Sequence, residues 1–234
     1  MDVTRIAKLL APFLGDAGAS GAAVLSPTQL RYISIYIDVL LHWNARMNLT
    51  AVREPEEIVT RHFGESIFAA RLLFPAANAG TKPGEPDSSL ASSPHVIDVG
   101  SGAGFPGLPV KIWAPHVHLT LIESSQRKAT FLREVVRSLR LSDAGVFMGR
   151  ANAFPGPKGD IVTLRAVEHF ETILPVAADL VGSAGRLAML IGAAQVVVVC
   201  ARLSVMKWSE PVKVPLSDNR ALIIGSKESS SLTP

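Results

Sequence analysis

The sequence predicts an α/β fold in which an open, mostly parallel sheet follows a helical N-terminal segment. Beyond residue 95, apolar runs of strand length alternate with amphipathic stretches of helix length, which is the pattern of a parallel sheet with crossover helices. One of these runs, residues 96–99, leads into three closely spaced glycines. A buried strand meets a ligand loop at the carboxyl edge of a sheet in this way. Before residue 76, the apolar periodicity is helical.

Composition bounds the class of protein. The 234 residues are 48% hydrophobic and 18% charged, which indicates a globular chain of one domain with an extension, or of two small domains. The net charge of +3 permits an anionic partner without identifying one. The single cysteine, Cys200, excludes an internal disulfide and a multi-cysteine metal site. With no apolar run near the roughly 20 residues of a membrane span and no signal-peptide core, we expect a cytoplasmic, metal-free monomer.

Three helices are predicted in the N-terminal segment. The first covers residues 4–14, the second starts at Ser26 and Pro27 and runs to about Trp43, and the third begins at Glu54. Polar and basic residues lie just after the second helix and in the first turns of the third. They either hold turns or form a basic rim for RNA phosphates. The candidates are Arg46, Asn48, Arg53, Arg61 and His62.

Composition also divides the chain. Residues 76–95 are rich in Gly, Pro and Ser and have no apolar period, which predicts a linker loop. We therefore expect a helical extension over residues 1–75, a sheet domain over residues 96–226 and a polar tail over residues 227–234. Strands are predicted at residues 96–99, 118–123, 146–148, 160–164, 186–191, 212–214 and 221–224, and helices at residues 109–113, 127–139, 173–180 and 193–206, with a turn at 183–185.

The glycine loop is the first candidate site. Residues 102–107 spell G-x-G-x-x-G, a weak dinucleotide signal on its own. Pro106 lacks the free N–H that a pyrophosphate needs at a helix start, whereas S-adenosylmethionine carries no phosphate. Residues 98–104 resemble the first motif of Rossmann-like, class I methyltransferases. The candidate cofactor residues in this stretch are Asp98, Gly100, Ser101, Gly102, Gly104 and Phe105.

Other polar residues follow the next strands. Glu123 lies about 20 residues beyond the glycines, the spacing of a ribose-binding acid, which both NAD and S-adenosylmethionine satisfy. Asn152, after Ala151, offers a donor and an acceptor to adenine or simply holds a turn. Arg165 ends the fourth strand, where it holds phosphate or the acceptor, or pairs with Glu168 or Asp160.

Missing motifs narrow the chemistry. The chain lacks the Asn/Asp-Pro-Pro-aromatic motif of amine methyltransferases after the fourth strand. Methylation at carbon 5 of a pyrimidine needs a cysteine nucleophile, and Cys200 is predicted on a late helix, away from the ligand edge. A ring nitrogen such as guanine N7 has a lone pair and no proton to lose, so its methylation needs placement and no general base.

The chain resembles the bacterial RsmG (GidB) family from about Trp43 to Ile224. The motifs that carry the resemblance are residues 43–44 and 48–51, 61–63, 98–109, 123–124, Lys128 with 131–132, and 165–166. It implies a Rossmann-like sheet of seven mostly parallel strands, the last one antiparallel, and methylation of guanine N7 in 16S ribosomal RNA of the small subunit with S-adenosylmethionine. Cofactor or acceptor contacts are implied for Gly100, Phe105, Ala151, Asn152 and Arg165, and ribose binding for Glu123.

The chain also departs from the family pattern. Asn152 stands in place of Glu, Glu65 in place of Asp and Leu164 in place of Ser, and residues 191–192 lack a Lys. They motivate the first of three alternatives that stay open. The chain methylates another RNA or a small molecule, it is an NAD-dependent oxidoreductase, or it binds RNA without catalysis.

Overall fold

The N-terminal helices form where the periodicity predicts them. The computed structural model describes residues 1–15, 23–75, 93–165 and 170–227. Helix α1 spans Val3–Leu10 and passes into a 3₁₀ turn at Ala11–Phe13. Helix α2 spans Pro27–Met47, and its start is fixed by a capping box between Ser26 and Gln29.

The third helical segment is not the uniform helix that the sequence predicts. It begins as α3 at Pro55–Glu57, widens into a π-helix at Ile58–Gly64 and continues as α4 at Glu65–Leu73. π-Helical turns are rare and are frequent at functional sites. Here the wide turn carries Arg61 and His62, whose main-chain carbonyls accept hydrogen bonds from a sheet residue described below.

The described part of the chain forms one sheet, whose strands are β1 His95–Val99, β2 His118–Glu123, β3 Ala144–Met148, β4 Gly159–Arg165, β5 Val181–Gly192, β6 Lys207–Trp208, β7 Val212–Lys213 and β8 Arg220–Ser226. These eight strands lie in the order β3-β2-β1-β4-β5-β8-β6, with β7 also paired to β8. The β3 to β5 part is parallel and β8 runs antiparallel to β5, which confirms the predicted architecture. The helices are α5 Gly107–Trp113, α6 Gln126–Ser138, α7 Phe170–Leu180 and α8 Ala193–Arg202.

Two details differ from the predicted sheet. The described residues form eight strands, whereas the sequence predicts seven. The strand that was not predicted is β6, which has two residues and is too short to produce a periodic signal. Residues 183–185, expected as a helix-terminal turn, lie within β5, which has an irregular register against β4 before Arg186. The valine-rich segment after residue 193 is helical, as its place in the alternation predicts. Most of the predicted linker (residues 76–92), residues 166–169 and residues 228–234 lie outside the described residues.

Hydrophobic residues cover both faces of the sheet. One cluster joins the N-terminal helices to α5, α6 and the adjacent strands, so side chains such as Ile37, Phe63 and Leu121 share one core. The second cluster packs α7 and α8 on the opposite face. The order of the strands reverses between β1 and β4, which is where open α/β sheets bind ligands at the carboxyl edge.

Candidate functional site

A cleft of about 450 Å³ opens at this carboxyl edge, a volume typical of small-molecule sites. The glycine loop after β1 forms one wall, and the chain between α2 and the π-helix forms another. Its lining residues are Leu49, Thr50, His62, Gly100, Ser101, Gly102, Ala103, Phe105, Glu123, Ser124, Lys128, Arg165, Ile173 and Arg220. The predicted site residues outside this lining are Arg46, Asn48, Arg53, Arg61, Asp98, Gly104, Ala151 and Asn152.

Main-chain hydrogen bonds hold the glycine loop in a tight turn. The amide of Ser101 donates to the carbonyl of Ile122 at 3.0 Å, and the amide of Gly104 donates to the carbonyl of Ser101 at 2.6 Å. Gly102 and Gly104 have φ values of +56° and +87°, a region that favours glycine. The loop therefore brings bare backbone to the cleft, as close approach of a ligand requires.

Glu123 joins the glycine loop to the end of β2. Its Oε2 accepts the amide of Gly102 at 2.9 Å, and its Oε1 accepts the amide of Ser125 at 2.7 Å. A carboxylate oxygen has two lone pairs, so each oxygen keeps one for a further donor. The arrangement fits a ligand with two adjacent hydroxyl groups, such as a ribose.

Asp98 lies behind the loop and does not line the cleft. Its Oδ1 accepts the hydroxyl of Thr163 at 2.7 Å, and its Oδ2 is buried without a hydrogen-bond partner. Burial raises the pKa of the Asp98 carboxyl to about 6, although the Thr163 hydrogen bond opposes the shift. The expected contact of Asp98 with a ligand stays a prediction.

Phe105, at the turn into α5, is enclosed by aromatic rings of the N-terminal helices. Its ring stacks on Tyr36 at 5.3 Å and on His62 at 4.9 Å, and the edge of Phe63 meets it at 5.1 Å. The buried hydroxyl of Tyr36 donates to the carbonyl of Ala103. The N-terminal helices thus fix both the backbone and the aromatic side chain of the loop.

Arg165, at the end of β4, is bound to the π-helix. Its guanidinium donates to the carbonyl of Arg61 at 2.8 Å and, at 3.4 Å each, to the carbonyl of His62 and the hydroxyl of Ser66. It also forms a buried ion pair with Glu65 at 3.1 Å. Burial lowers the pKa of Arg165 to about 10, against the opposing charge of Glu65, so the side chain stays cationic at neutral pH.

Among the described residues, Arg165 forms its ion pair with an acid other than the predicted Asp160. Asp160 accepts the amide of His95 at 2.8 Å, and Glu168 lies outside the described residues. The acidic partner is Glu65, which the sequence marks only as a departure from the family pattern. The nitrogens of Arg165 face protein acceptors, and its predicted contact with the cofactor or acceptor stays a prediction.

His62 connects Arg165 to Thr50. The guanidinium of Arg165 lies 3.1 Å from Nδ1 of His62, and Nε2 lies 2.7 Å from the hydroxyl of Thr50. Burial, reinforced by Arg165, lowers the pKa of His62 to about 3, so the imidazole is neutral at pH 7. A contact of His62 with RNA stays a prediction, and it would be made by a neutral ring.

The remaining predicted residues, called the rim residues below, are not among those that line the cleft. Ala151 and Asn152 form a 3₁₀ turn after β3, with Ala151 buried and Asn152 exposed. Arg46, Arg53 and Arg61 are exposed.

Two of these rim residues already have polar partners. Arg61 pairs with Glu57 at 2.7 Å, and Arg53 donates to the side chain of Asn48 at 3.3 Å. Roles in adenine or RNA binding stay predictions for all of the rim residues.

Sequence reasoning does not assign two residues that shape the cleft, Arg220 and Tyr36. Arg220 begins β8, lines the cleft and lies 3.5 Å from Glu65. Only the sheet order places it opposite Gly192, at the end of β5. The signal for Tyr36 is a phenol within an otherwise apolar helical stripe.

Two classes of site are not found in the described part of the chain. Residues 1–15, 23–75, 93–165 and 170–227 contain no group of three or more His, Cys, Asp or Glu side chains arranged to hold a metal ion. Within those same ranges, every helix is too short or too polar to cross a bilayer.

Comparison with known proteins identifies a family match over most of the chain. The model of the GidB family, described as rRNA small subunit methyltransferase G, matches residues 29–202. A ribosomal RNA small subunit methyltransferase G from Bacillus pumilus is 34% identical over 166 residues, covering 69% of this chain and 63% of that protein. One from Bacillus cytotoxicus is 35% identical over 187 residues, covering 77% and 70% respectively. The match thus spans about two thirds of these relatives' length.

Solved structures show the same fold. Pyrococcus horikoshii TYW2, solved in complex with MeSAdo, superposes with a TM-score of 0.54 at 14% identity and covers 72% of this chain and 63% of its own. A ribosomal protein L11 methylase from Lactobacillus delbrueckii also gives a TM-score of 0.54 at 14% identity, with coverages of 70% and 80%. The sheet is that of the Rossmann-like methyltransferases.

Proposed function

The chain belongs to the rRNA small subunit methyltransferase G (GidB) family, and on that premise we propose that it methylates N7 of a guanine in 16S ribosomal RNA with S-adenosylmethionine. The observation that carries the proposal is the cleft, in which the glycine loop and Glu123 meet an acceptor-side wall made by Thr50 and His62. The acceptor is the RNA of the small ribosomal subunit, so the protein acts in the cytoplasm.

The donor set of the cleft fits S-adenosylmethionine. Glu123 keeps one lone pair on each oxygen for the ribose hydroxyls, and the backbone at Gly102 leaves open space, since a Cβ there would meet only the carbonyl of Gly100 at 3.7 Å. When bound, S-adenosylmethionine supplies a methyl group activated by a sulfonium. We assign cofactor binding to Gly100, Phe105 and Glu123, with Ala151 and Asn152 on the adenine side.

The acceptor side favours a nucleophile that loses no proton. His62 is the imidazole in the cleft lining, and both of its nitrogens are engaged by Thr50 and Arg165. A half-buried neutral imidazole with two partners is unavailable as a general base. Guanine N7 attacks with a lone pair and needs only to be placed in line with the methyl group. The chain's contribution is therefore orientation and exclusion of water.

A methyl-transfer assay on small ribosomal subunits lacking the modification tests the proposal. Purified protein and labelled S-adenosylmethionine are added, and the RNA is then cleaved chemically at N7-methylguanine. The expected result is one new cleavage in 16S RNA, absent with Glu123→Ala and retained with Asp179→Ala, a matched carboxylate exposed on α7. Label without cleavage would reject N7. Cofactor binding without label would reject the 16S acceptor in favour of another RNA or a small molecule.

A further inference from the structure

Thr50 lies in the loop between α2 and α3 and lines the cleft, as the glycine loop does. We propose that its hydroxyl is a dedicated hydrogen-bond donor that recognises O6 of the target guanine and rejects adenine. This inference rests on the proposed function, because it names the group that selects the base in that reaction.

The first step is the tautomer of His62. Arg165 is a donor only, so His62 accepts from it through an unprotonated Nδ1 at 3.1 Å. The proton of the neutral ring is then on Nε2, which donates to Oγ1 of Thr50 at 2.7 Å. This assignment follows from the hydrogen-bond network.

The second step is the state of the Thr50 hydroxyl. Its oxygen also accepts the amide of Val52 at 3.1 Å, so both of its lone pairs are occupied. Asn44 fixes the main chain of Thr50 on both sides. It accepts the Thr50 amide at 2.9 Å and donates to the Thr50 carbonyl at 3.1 Å. The main chain of Thr50 is thus held in place, and the one remaining hydrogen-bonding function of its side chain is its own O–H.

The third step is the chemistry of the base. On the edge that carries N7, guanine presents the O6 acceptor, whereas adenine presents an N6 amine donor. When N7 is the reacting atom, the group at position 6 is what distinguishes guanine from adenine on that edge. A hydroxyl that can only donate matches O6 and leaves an amine facing an occupied oxygen. His62 is the positioning residue that maintains this condition.

Other donors line the cleft and must be distinguished from Thr50. Arg165 is committed to protein acceptors. Arg220 and Lys128 remain as cationic candidates, with Arg220 3.5 Å from Glu65. A cationic side chain attracts any electronegative atom of the base. The Thr50 hydroxyl differs from Arg220 and Lys128 because it is uncharged and selects its acceptor by hydrogen-bond geometry.

The test is a cycle that changes both the hydroxyl and O6. Small subunits are reconstituted with 16S RNA that carries either guanosine or 2-aminopurine at the nucleotide mapped in the assay above. 2-Aminopurine retains N7 and lacks O6. Single-turnover methylation rates are measured for wild type, Thr50→Val and Thr50→Ser, with S-adenosylmethionine affinity and thermal midpoint as controls for folding.

For wild type, removal of O6 is expected to slow methylation about tenfold or more, since each lost hydrogen bond is worth roughly a factor of ten. Thr50→Val is expected to lose about tenfold on guanosine and nothing further on 2-aminopurine, while Thr50→Ser behaves as wild type. If O6 removal slows Thr50→Val as much as it slows wild type, the recognition of O6 belongs to Arg220 or Lys128 and the inference is overturned. Equal wild-type rates on both RNAs would overturn it without any variant. Absence of methylation with guanosine would instead refute the proposed function.

Discussion

Two alanine substitutions in the glycine loop should separate folding from ligand binding. Gly104 has φ +87°, and a Cβ at this position would lie 2.5 Å from Cδ1 of Leu108 and against the hydroxyl of Tyr36. Gly102 has φ +56°, but a Cβ there would meet only the carbonyl of Gly100, at 3.7 Å. The two variants share the backbone strain and differ in the space available.

The magnitudes follow from these two terms. Left-handed backbone at a non-glycine residue costs about 1–2 kcal/mol, and overpacking a core adds about 1–3 kcal/mol. We expect Gly102→Ala to lose only the first amount, a fall of about 2–8 °C in thermal midpoint for a chain of this size. Gly104→Ala should lose about 2–5 kcal/mol, because its Cβ meets Leu108 and the hydroxyl of Tyr36, whose ring is stacked on Phe105.

Ligand binding should show a second contrast. The new methyl group of Gly102→Ala enters open space in the cleft lining, so S-adenosylmethionine affinity is expected to fall at least tenfold while the fold survives. Denaturation and calorimetric titration of each variant measure the two quantities. Equal destabilisation by the two substitutions, or unchanged affinity in Gly102→Ala, would refute this account of the loop.

Three further substitutions test individual contacts. Tyr36→Phe keeps the ring stack and removes the donor to the Ala103 carbonyl, so urea denaturation should show a loss of about 1–3 kcal/mol; full stability would show that this bond contributes nothing. Glu123→Gln should weaken S-adenosylmethionine binding at least tenfold by calorimetry, and unchanged affinity would remove Glu123 from the cofactor site. Asp98 has a folded-state pKa of about 6 against an ordinary value of 3.8, so the folded chain retains a proton that the unfolded chain loses between those pH values, and wild-type stability falls as pH rises across that window. Asp98→Asn removes the titrating carboxyl, so the stability of the variant relative to wild type should rise by up to about 3 kcal/mol from pH 4 to pH 6.5. A difference in stability that does not vary with pH would contradict the assigned pKa.

Local sequence signals predict most of the fold. The alternation of strands and helices, the capped start of α2 at Ser26 and the glycine turn after β1 all depend on neighbouring residues, so one chain suffices to predict them. The exceptions have physical causes. Two-residue β6 has no period, and the π-helix before Glu65 has no pattern of its own that distinguishes it from an α-helix.

The site is predictable only in part, for the same reason. Gly102 and Glu123 lie at strand ends that the alternation identifies, and the structure brings them within hydrogen-bonding distance. The pairing of Arg165 with Glu65 joins positions far apart in the chain, and no local rule identifies it. The sequence marks Thr50 only as part of a motif, because its donor character depends on two partners that the fold supplies. The division of the chain into an extension, a linker and a sheet domain stays a prediction.

The ion pair between Glu65 and Arg165 has a consequence for synthesis of the chain. Translation proceeds from the N-terminus, so the π-helix and α4 leave the ribosome well before β4. A nascent chain that stops short of residue 165 has the aromatic rings that enclose Phe105, but its Glu65 carboxylate has no cation from β4. Burial alone would then raise the pKa of Glu65, as it does in the finished protein against the opposing charge of Arg165. The buried ion pair of the N-terminal helices can therefore form only after the fourth strand has been made.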